Sequence, residues 1–273
     1  MRRADLFVAL CLVIGAGVMA QRYAEPSNYR LKGASNNVNV SGATLRVGVE
    51  GAFPPFNEKR PDGRLEGLDI DVAEALCASL ERNCIFVIRP WREIVDGLAN
   101  RDYDAIVSSM RITPVHDRRI AFTRPYYRTP GRFAVRKDSA IAKADEQSLR
   151  GMRVGVVGGT LHQRFLEAHF SQSQITPLGT PESAREGLAT GAYEAIFGDS
   201  TALYRWLKSP QGACCRLLDP GFDEERFFGR GVAVAIRAQD QNLRERADQA
   251  LQHLQSDGTL KSITARYFPF PLL

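Results

Sequence analysis

An α/β protein made of two similar units is what this sequence predicts, and three observations carry the prediction. A phrase is written twice, as "GLANRDYDAI" from Gly97 and "GLATGAYEAI" from Gly187, 90 residues apart. Each copy closes a run of alternating strand-like and helix-like segments that opens on an Arg-led β-branched stretch, "LRVGVEGAF" from Leu45 and "MRVGVVGGTL" from Met152. An extended run without helix signals, "PYYRTPGRFAVRKDS", separates the units, and a second, "ERFFGRGVAVAIRAQD", follows the later one.

In chain order, the apolar periodicity places strand 45–49, helix 69–82, strand 84–88, helix 91–100 and strand 104–108 in the first unit. The second unit reads strand 153–157, helix 160–169, strand 174–178, helix 181–190 and strand 194–198, and helices over 240–254 and 256–267 end the chain. Taken alone, the repeated phrase is also ordinary helix-to-strand grammar; the matching order of all five elements argues for a duplicated unit. Both units are βαβαβ, which implies mostly parallel sheets with right-handed crossovers and flanking helices. If the closing helices return to the first unit, two strands cross between lobes and form a hinge suited to closing around a small molecule. The expected division is lobe 1 over 44–129 plus 231–273, and lobe 2 over 130–230 with hinge segments at both its ends.

Composition narrows the function classes. The 273 residues are 44% apolar and 25% charged, which is ordinary for a globular protein with a sizeable core. The net charge of +5 is scattered among acids, and no zinc-finger spacing, basic zipper or aromatic-basic RNA motif occurs, so a nucleic-acid partner is not expected. Residues 1–20 read as a signal peptide: "MRRAD", then the apolar "LFVALCLVIGAGVMA" ending on small residues. That run is shorter than the ~20 residues of a spanning helix, which disfavours the alternative of a retained anchor. Cys11 lacks the small residues of a lipobox, so a soluble, exported, periplasmic protein is expected, with a loose leader over 21–43.

Cys77, Cys84, Cys214 and Cys215 remain after export. On one continuous helix Cys77 and Cys84 would lie ~10.5 Å apart, beyond disulfide reach, so a bridge requires the helix to end between them. "VAEALCASLERN" does read as a helix stopping near Asn83, with "CIFVI" as the strand after it. A bridge stapling helix end to strand start is the expectation, with two buried free thiols as the alternative. For the adjacent pair Cys214 and Cys215 the state stays open, because neighbouring Cα atoms lie about 3.8 Å apart, below the usual disulfide range.

In open parallel sheets ligands gather beyond the carboxyl ends of the strands, which nominates Glu50, Ser108 and Ser109 in one unit and Val157, Gly158, Gly159 and Asp199 in the other. Around these ends the motifs become recognisable. "GRLEGLDIDVAEALCASL", "YDAIVSSMRIT" with "IAFTRPYY", "VGVVGGT", "AIFGD" and "DGTLKSITARYF", over roughly residues 44–270, resemble the periplasmic solute-binding proteins of polar-amino-acid ABC transporters. The likeness is greatest to the lysine/arginine/ornithine and histidine binding proteins. It implies an α/β, two-lobed periplasmic binding protein fold (type II, Venus flytrap) that acts as a monomer, without catalysis, cofactor or metal. It also implies a small amino acid as ligand, cationic in that subgroup (arginine, lysine, ornithine or histidine), and a membrane ABC permease as partner. The subgroup carries its disulfide where Cys77 and Cys84 stand.

Carried over residue by residue, the resemblance gives Asp199 the ligand α-ammonium, consistent with the need of a desolvated cation for a paired carboxylate. Phe53 and Trp91 match the aromatic sandwich around the ligand side chain, a suitable bed for a guanidinium or an aliphatic stem. Glu50 matches the acidic position facing a distal cation, and Ser108 and Ser109 match polar contacts at a strand end. Gly159 and Thr160 stand at a helix N-terminus, where free amides favour a carboxylate. Plainer roles compete: core for Phe53, packing for Trp91, a solvated turn for Glu50 and a helix cap for Asp199. Asp69 and Asp71 are assigned to capping and packing, and His162 and His169 to the surface.

Two positions depart from the pattern. His116 stands where the family usually grips the ligand carboxylate with an arginine, and histidine has no bidentate fork. Leu161 replaces a frequent hydroxyl. Arg111, where the subgroup usually has a serine, is the candidate substitute cation; the alternative is a ligand with a modified or absent carboxylate. Dinucleotide, Walker and G-x-S-x-G signatures are missing. Two further readings stay open: a periplasmic dehydratase-type enzyme on this fold, using Glu50 as general acid, and a ligand-sensing partner of a membrane receptor.

Overall fold

The repeated phrase has a packing reason, visible once the elements are in place. A computed structural model describes residues 43–112 and 117–272; the signal expected over 1–20 with Cys11, the leader apart from Ala43, and His116 lie outside the described residues. The first unit contains β1 (Thr44–Val49), the short β2 (Ala52–Phe53), β3 (Asn57–Lys59) and β4 (Leu65–Glu66), α1 (Leu68–Ser79), β5 (Asn83–Ile88), α2 (Ile94–Ala99) and β6 (Ala105–Ile106). Then come β7 (Ile120–Tyr127), β8 (Gly131–Arg136) and α3 (Glu146–Leu149). The second unit follows as β9 (Arg153–Val157), α4 (Leu161–His169), β10 (Gln174–Leu178), α5 (Pro181–Thr190), β11 (Ala195–Asp199) and α6 (Ser200–Leu207). The chain closes with β12 (Cys215–Leu217), α7 (Glu225–Phe228), β13 (Val232–Arg237), α8 (Gln241–Ser256) and α9 (Thr259–Ala265).

Among the described residues, two five-stranded sheets repeat one design, in the orders β5-β1-β6-β13-β7 and β10-β9-β11-β8-β12. In each, the opening strand of the unit lies between the other two and pairs with both in parallel. Two further strands complete each sheet through antiparallel pairings, β13 against β6 and β7, and β8 against β11 and β12. The chain passes from one sheet to the other between Tyr127 and Gly131 and returns between Leu217 and Val232. Val47, Val49, Leu68 and Phe268 are buried in the core of the first sheet, and Phe133, Val156, Phe165 and Phe197 in that of the second.

Tyr103 and Tyr193, the aromatic letters of the repeated phrase, explain its glycines. Tyr103 is fully buried and its hydroxyl donates to the carbonyl oxygen of Ile94. A Cβ on Gly97 would lie 2.5 Å from that hydroxyl oxygen, and one on Gly48 2.5 Å from the ring. In the second unit a Cβ on Gly187 would collide with Tyr193, and one on Gly155 would come within 3.0 Å of it. Only a residue without Cβ lets helix and strand approach over the ring, so glycine and tyrosine travel together.

Three details differ from the sequence expectation. The segment over 52–66 forms a small antiparallel sheet of β2, β3 and β4, which no alternation in the sequence announces. The helix expected over 91–100 opens as a 3-10 turn, Trp91–Glu93, with no side-chain cap at Pro90. β6 is two residues long instead of 104–108, because its ladder with β1 holds only at Val47 and Gly48 before the chain turns away.

α1 ends at Ser79, between the two cysteines, and Cys77 is bonded to Cys84 with Cα atoms 5.7 Å apart. Cys214 and Cys215 are bonded to each other. Among the described residues no helix is long and apolar enough to cross a membrane. Removing the first bridge releases a short loop, for which chain entropy predicts about 2 kcal/mol. The double variant Cys77→Ala, Cys84→Ala is therefore expected to lose about that much stability in urea unfolding, and no loss relative to wild type would show that the bridge constrains nothing.

Candidate functional site

A cavity of about 560 Å³ opens between the two sheet units, and its polar wall is built from two strand ends. β11 ends at Asp199, which caps α6: one carboxylate oxygen, Oδ1, accepts from the backbone N–H groups of Thr201 and Ala202, both at 3.0 Å, and from the Thr201 hydroxyl at 2.6 Å. The second oxygen, Oδ2, faces Arg111 at 3.1 Å. Of the two roles weighed for Asp199 in the sequence, the structure shows the helix cap, made by one oxygen, while the other lies on the cavity wall beside Arg111. Burial pushes the Asp199 pKa upward, but the hydrogen bonds from Thr201, Ala202 and Thr129 and the Arg111 cation outweigh it and hold it below the usual carboxylate range.

Arg111 follows β6 and is held by an antiparallel bridge to Val232 and by donation from Nη2 to Thr129 Oγ1 at 3.0 Å. Thr129 lies in the first crossing and Val232 opens the strand after the second, so the guanidinium is anchored at both. Its side chain is 52% exposed against 19% for Asp199, so the pair contributes about 1 kcal/mol at most to stability.

The rest of the wall is aromatic. Phe53 stacks on Phe56 at 5.0 Å and Phe56 on Tyr127 at 5.5 Å, so Phe53 is the exposed tip of a ladder rooted in the core. From the opposite side come Phe227 and Phe228 of α7, Leu161, and His162. His162, expected at the surface, instead packs its ring 5.4 Å from Phe228 and 5.8 Å from Phe197, since the first turn of α4 faces the cavity. Burial lowers its pKa, and Asp199, which raises it, does not compensate. Arg205, on the same face of α6 as Ala202, places its guanidinium 5.7 Å from the Phe53 ring centroid.

Of the residues nominated from sequence, the structure thus brings Phe53, Arg111 and Asp199 together and leaves the other described ones off the wall. Ser108 is buried and accepts from the Glu50 N–H at 2.9 Å. Ser109, at φ 52°, turns its hydroxyl inward to donate to Asp69 at 2.8 Å and accept from Tyr127 at 2.9 Å. Glu50 is half-buried behind β1, and Trp91 is 46% exposed on its 3-10 turn. The Gly159 N–H, expected to help hold a carboxylate, donates to Gln163 Oε1 at 2.8 Å, and the Thr160 hydroxyl caps α4 by accepting from the Gln163 N–H. His116 lies outside the described residues.

Asp69 does not take the capping role expected from the sequence, since α1 has no side-chain cap. It is fully buried and accepts from Asn57 at 2.6 Å and Tyr126 at 2.7 Å as well as from Ser109. Burial without a cation raises its pKa. Sequence reasoning missed Thr129, Arg205 and the Phe227–Phe228 pair. The helical spacing from Asp199 through Ala202 to Arg205 was the one available signal. Among the described residues no group of His, Cys, Asp and Glu side chains is arranged to hold a metal ion.

Comparison with known proteins matches residues 45–270 to the family model described as bacterial extracellular solute-binding proteins, family 3. The chain is 33% identical to the L-arginine-binding protein of Pseudomonas aeruginosa, over 83% of this chain and 88% of that one. It is also 33% identical to the histidine-binding periplasmic protein of Escherichia coli K12, over the same shares of 83% and 88%. Among solved structures, an ancestral cyclohexadienyl dehydratase superposes with a TM-score of 0.68 at 26% identity, covering 82% of this chain and 92% of that one.

The lowered pKa of His162 has a sign that can be tested. The folded chain takes up this proton less readily than the unfolded chain, so His162 adds stability above its ordinary value of 6.5, and that stability is lost as pH falls through the lowered folded value. Urea unfolding across this range is expected to show a smaller acid loss for His162→Phe than for wild type. Equal losses in both would mean the ring is as free to titrate as in solution.

Proposed function

This chain belongs to the bacterial extracellular solute-binding proteins of family 3, and we propose that it captures a small amino acid between its lobes and hands it to a membrane ABC permease. The observation that carries this reading is the Arg111 and Asp199 pair, opposite charges 3.1 Å apart on the wall of a cavity of about 560 Å³. A zwitterion carries the complementary pair. Its ammonium takes Asp199 Oδ2 in place of Arg111, its carboxylate takes the planar fork of Arg111, and one ion pair becomes two. The names of the relatives, arginine- and histidine-binding, support the amino acid class.

The division into lobe 1 (44–129 and 231–273) and lobe 2 (130–230) gives the motion: ligand seated on one lobe favours the closed form through contacts made only there. Trp91 belongs to this proposal as a group that closure brings toward the ligand, Glu50, Ser108, Ser109, Gly159 and Thr160 as groups that shape the loops behind it, and His116 as a further candidate cation for its carboxylate. Export to the periplasm and action as a monomer complete the reading. A dehydratase reading draws on the likeness to the ancestral enzyme. Against it, Glu50, the general acid that reading requires, is not on the cavity wall, and Asp199, the carboxyl that is, is held below its usual pKa, the reverse of what a general acid at neutral pH requires.

Asn caps a helix as well as Asp does, which separates charge from fold at position 199. Asp199→Asn is expected to keep stability within about 0.5 kcal/mol and to weaken amino acid binding about 100-fold in calorimetry, while Asp199→Ala loses in addition about 1 kcal/mol of stability. Wild-type affinity in Asp199→Asn would remove the residue from the site. Closure has an optical readout, because Trp91 is 46% exposed and Trp206 only 9%. A ligand-induced shift in tryptophan emission is expected in wild type and not in Trp91→Phe; the same shift in both would place the change elsewhere.

A further inference from the structure

One charge on the cavity wall is left without a partner when a simple zwitterion is seated. Among the described residues Asp199 is the one carboxylate lining that wall, and Arg111 already faces it. With the ligand ammonium on Asp199 and its α-carboxylate on Arg111, those two residues are balanced. Arg205 remains. Among the described residues no carboxylate lies within ion-pair distance of it, and its close neighbour is the face of Phe53, 5.7 Å from guanidinium carbon to ring centroid. His162 adds no compensating group, since burial favours its neutral form.

Arg205 extends from the helix that Asp199 caps, one turn beyond Ala202, so its distance from the ammonium site is set by a rigid element. Between the two ends the wall is apolar, with Phe53 on one side and Leu161, Phe227 and Phe228 on the other. Such a wall accepts a short aliphatic stem. Glu50, expected from the sequence to meet a distal cation, is not part of it. A cationic side chain entering here would meet a guanidinium already lying on the aromatic face that should receive it.

We infer that Arg205 is a specificity-determining residue and that the ligand is an α-amino acid bearing a second carboxylate, which Arg205 meets over the face of Phe53. This rests on the amino acid reading above and deepens it. Two chemistries supply such a group: a carboxylate at the end of the side chain, as in glutamate, or one on the α-nitrogen substituent, as in an N-carboxyalkyl amino acid. Both keep an ammonium for Asp199 and a carboxylate for Arg111.

Calorimetry on the purified chain with L-glutamate, an N-(1-carboxyethyl) amino acid, L-glutamine and L-arginine tests this. Wild type is expected to bind one of the two dicarboxylates at least about tenfold more tightly than glutamine or arginine, and which one identifies the source of the second carboxylate. Arg205→Ala should erase that margin, leaving glutamine within about threefold, and Arg205→Glu should move the preference toward arginine. Arg205 is exposed, so the variants should fold, and circular dichroism confirms it. Tightest binding of arginine by wild type, or an equal loss for every ligand in Arg205→Ala, would overturn the inference while leaving the amino acid reading intact. Failure of the folded wild-type chain to bind any amino acid would overturn that reading and this inference with it.

Discussion

The ion pair between Arg111 and Asp199 is the constraint on which the rest of the structure's meaning depends. It adds little stability, because the guanidinium is half in water. Its importance is placement. Asp199 ends β11 and caps α6, and Arg111 is held by Thr129 in one crossing and by Val232 after the other. The pair therefore sits where the two halves of the chain meet, and any ligand seated between them must come to terms with both charges.

Behind that pair stands a polar network that keeps the first unit's loops in position. Asp69 accepts from Asn57, Ser109 and Tyr126, and Asn57 in turn accepts from the Gly51 N–H at 2.8 Å. One buried carboxylate thus fixes the turn after β1 and the turn before Arg111 together. A buried carboxyl with no cation needs hydrogen-bond partners around it, and here three side chains supply them. The aromatic ladder from Tyr127 through Phe56 to Phe53 does the same for the apolar wall. On the far side of the crossings, Tyr204 of α6 packs 5.7 Å from Phe268 and 5.6 Å from Phe270, tying the helix that begins at Asp199 to the chain's C-terminal segment.

Much of the scaffold was legible because it rests on local chemistry. The strand over 153–157, the helix over 181–190 and the break in α1 between Cys77 and Cys84 follow from periodicity, capping residues and chain reach. The repeated phrase was legible as a pattern, although its cause, a glycine pressed against a tyrosine ring, appears only when helix and strand are packed. The site was half legible. Phe53, Arg111 and Asp199 could be named from strand ends and resemblance, whereas Arg205 and the Phe227–Phe228 pair are brought in by elements far apart along the chain.

By itself the sequence determined the two βαβαβ units, the strand ends that carry polar groups, and the cysteines within reach of each other, since each depends on neighbours within a few turns or one strand. Tertiary structure alone decided which side chains share the cavity. Ser108, Ser109, Gly159 and Thr160 had the right chemistry for it but found partners inside their own lobes. Hydrogen-bond donors and acceptors must be satisfied wherever the chain buries them, and no string of letters reveals which partner lies nearest until the lobes have packed.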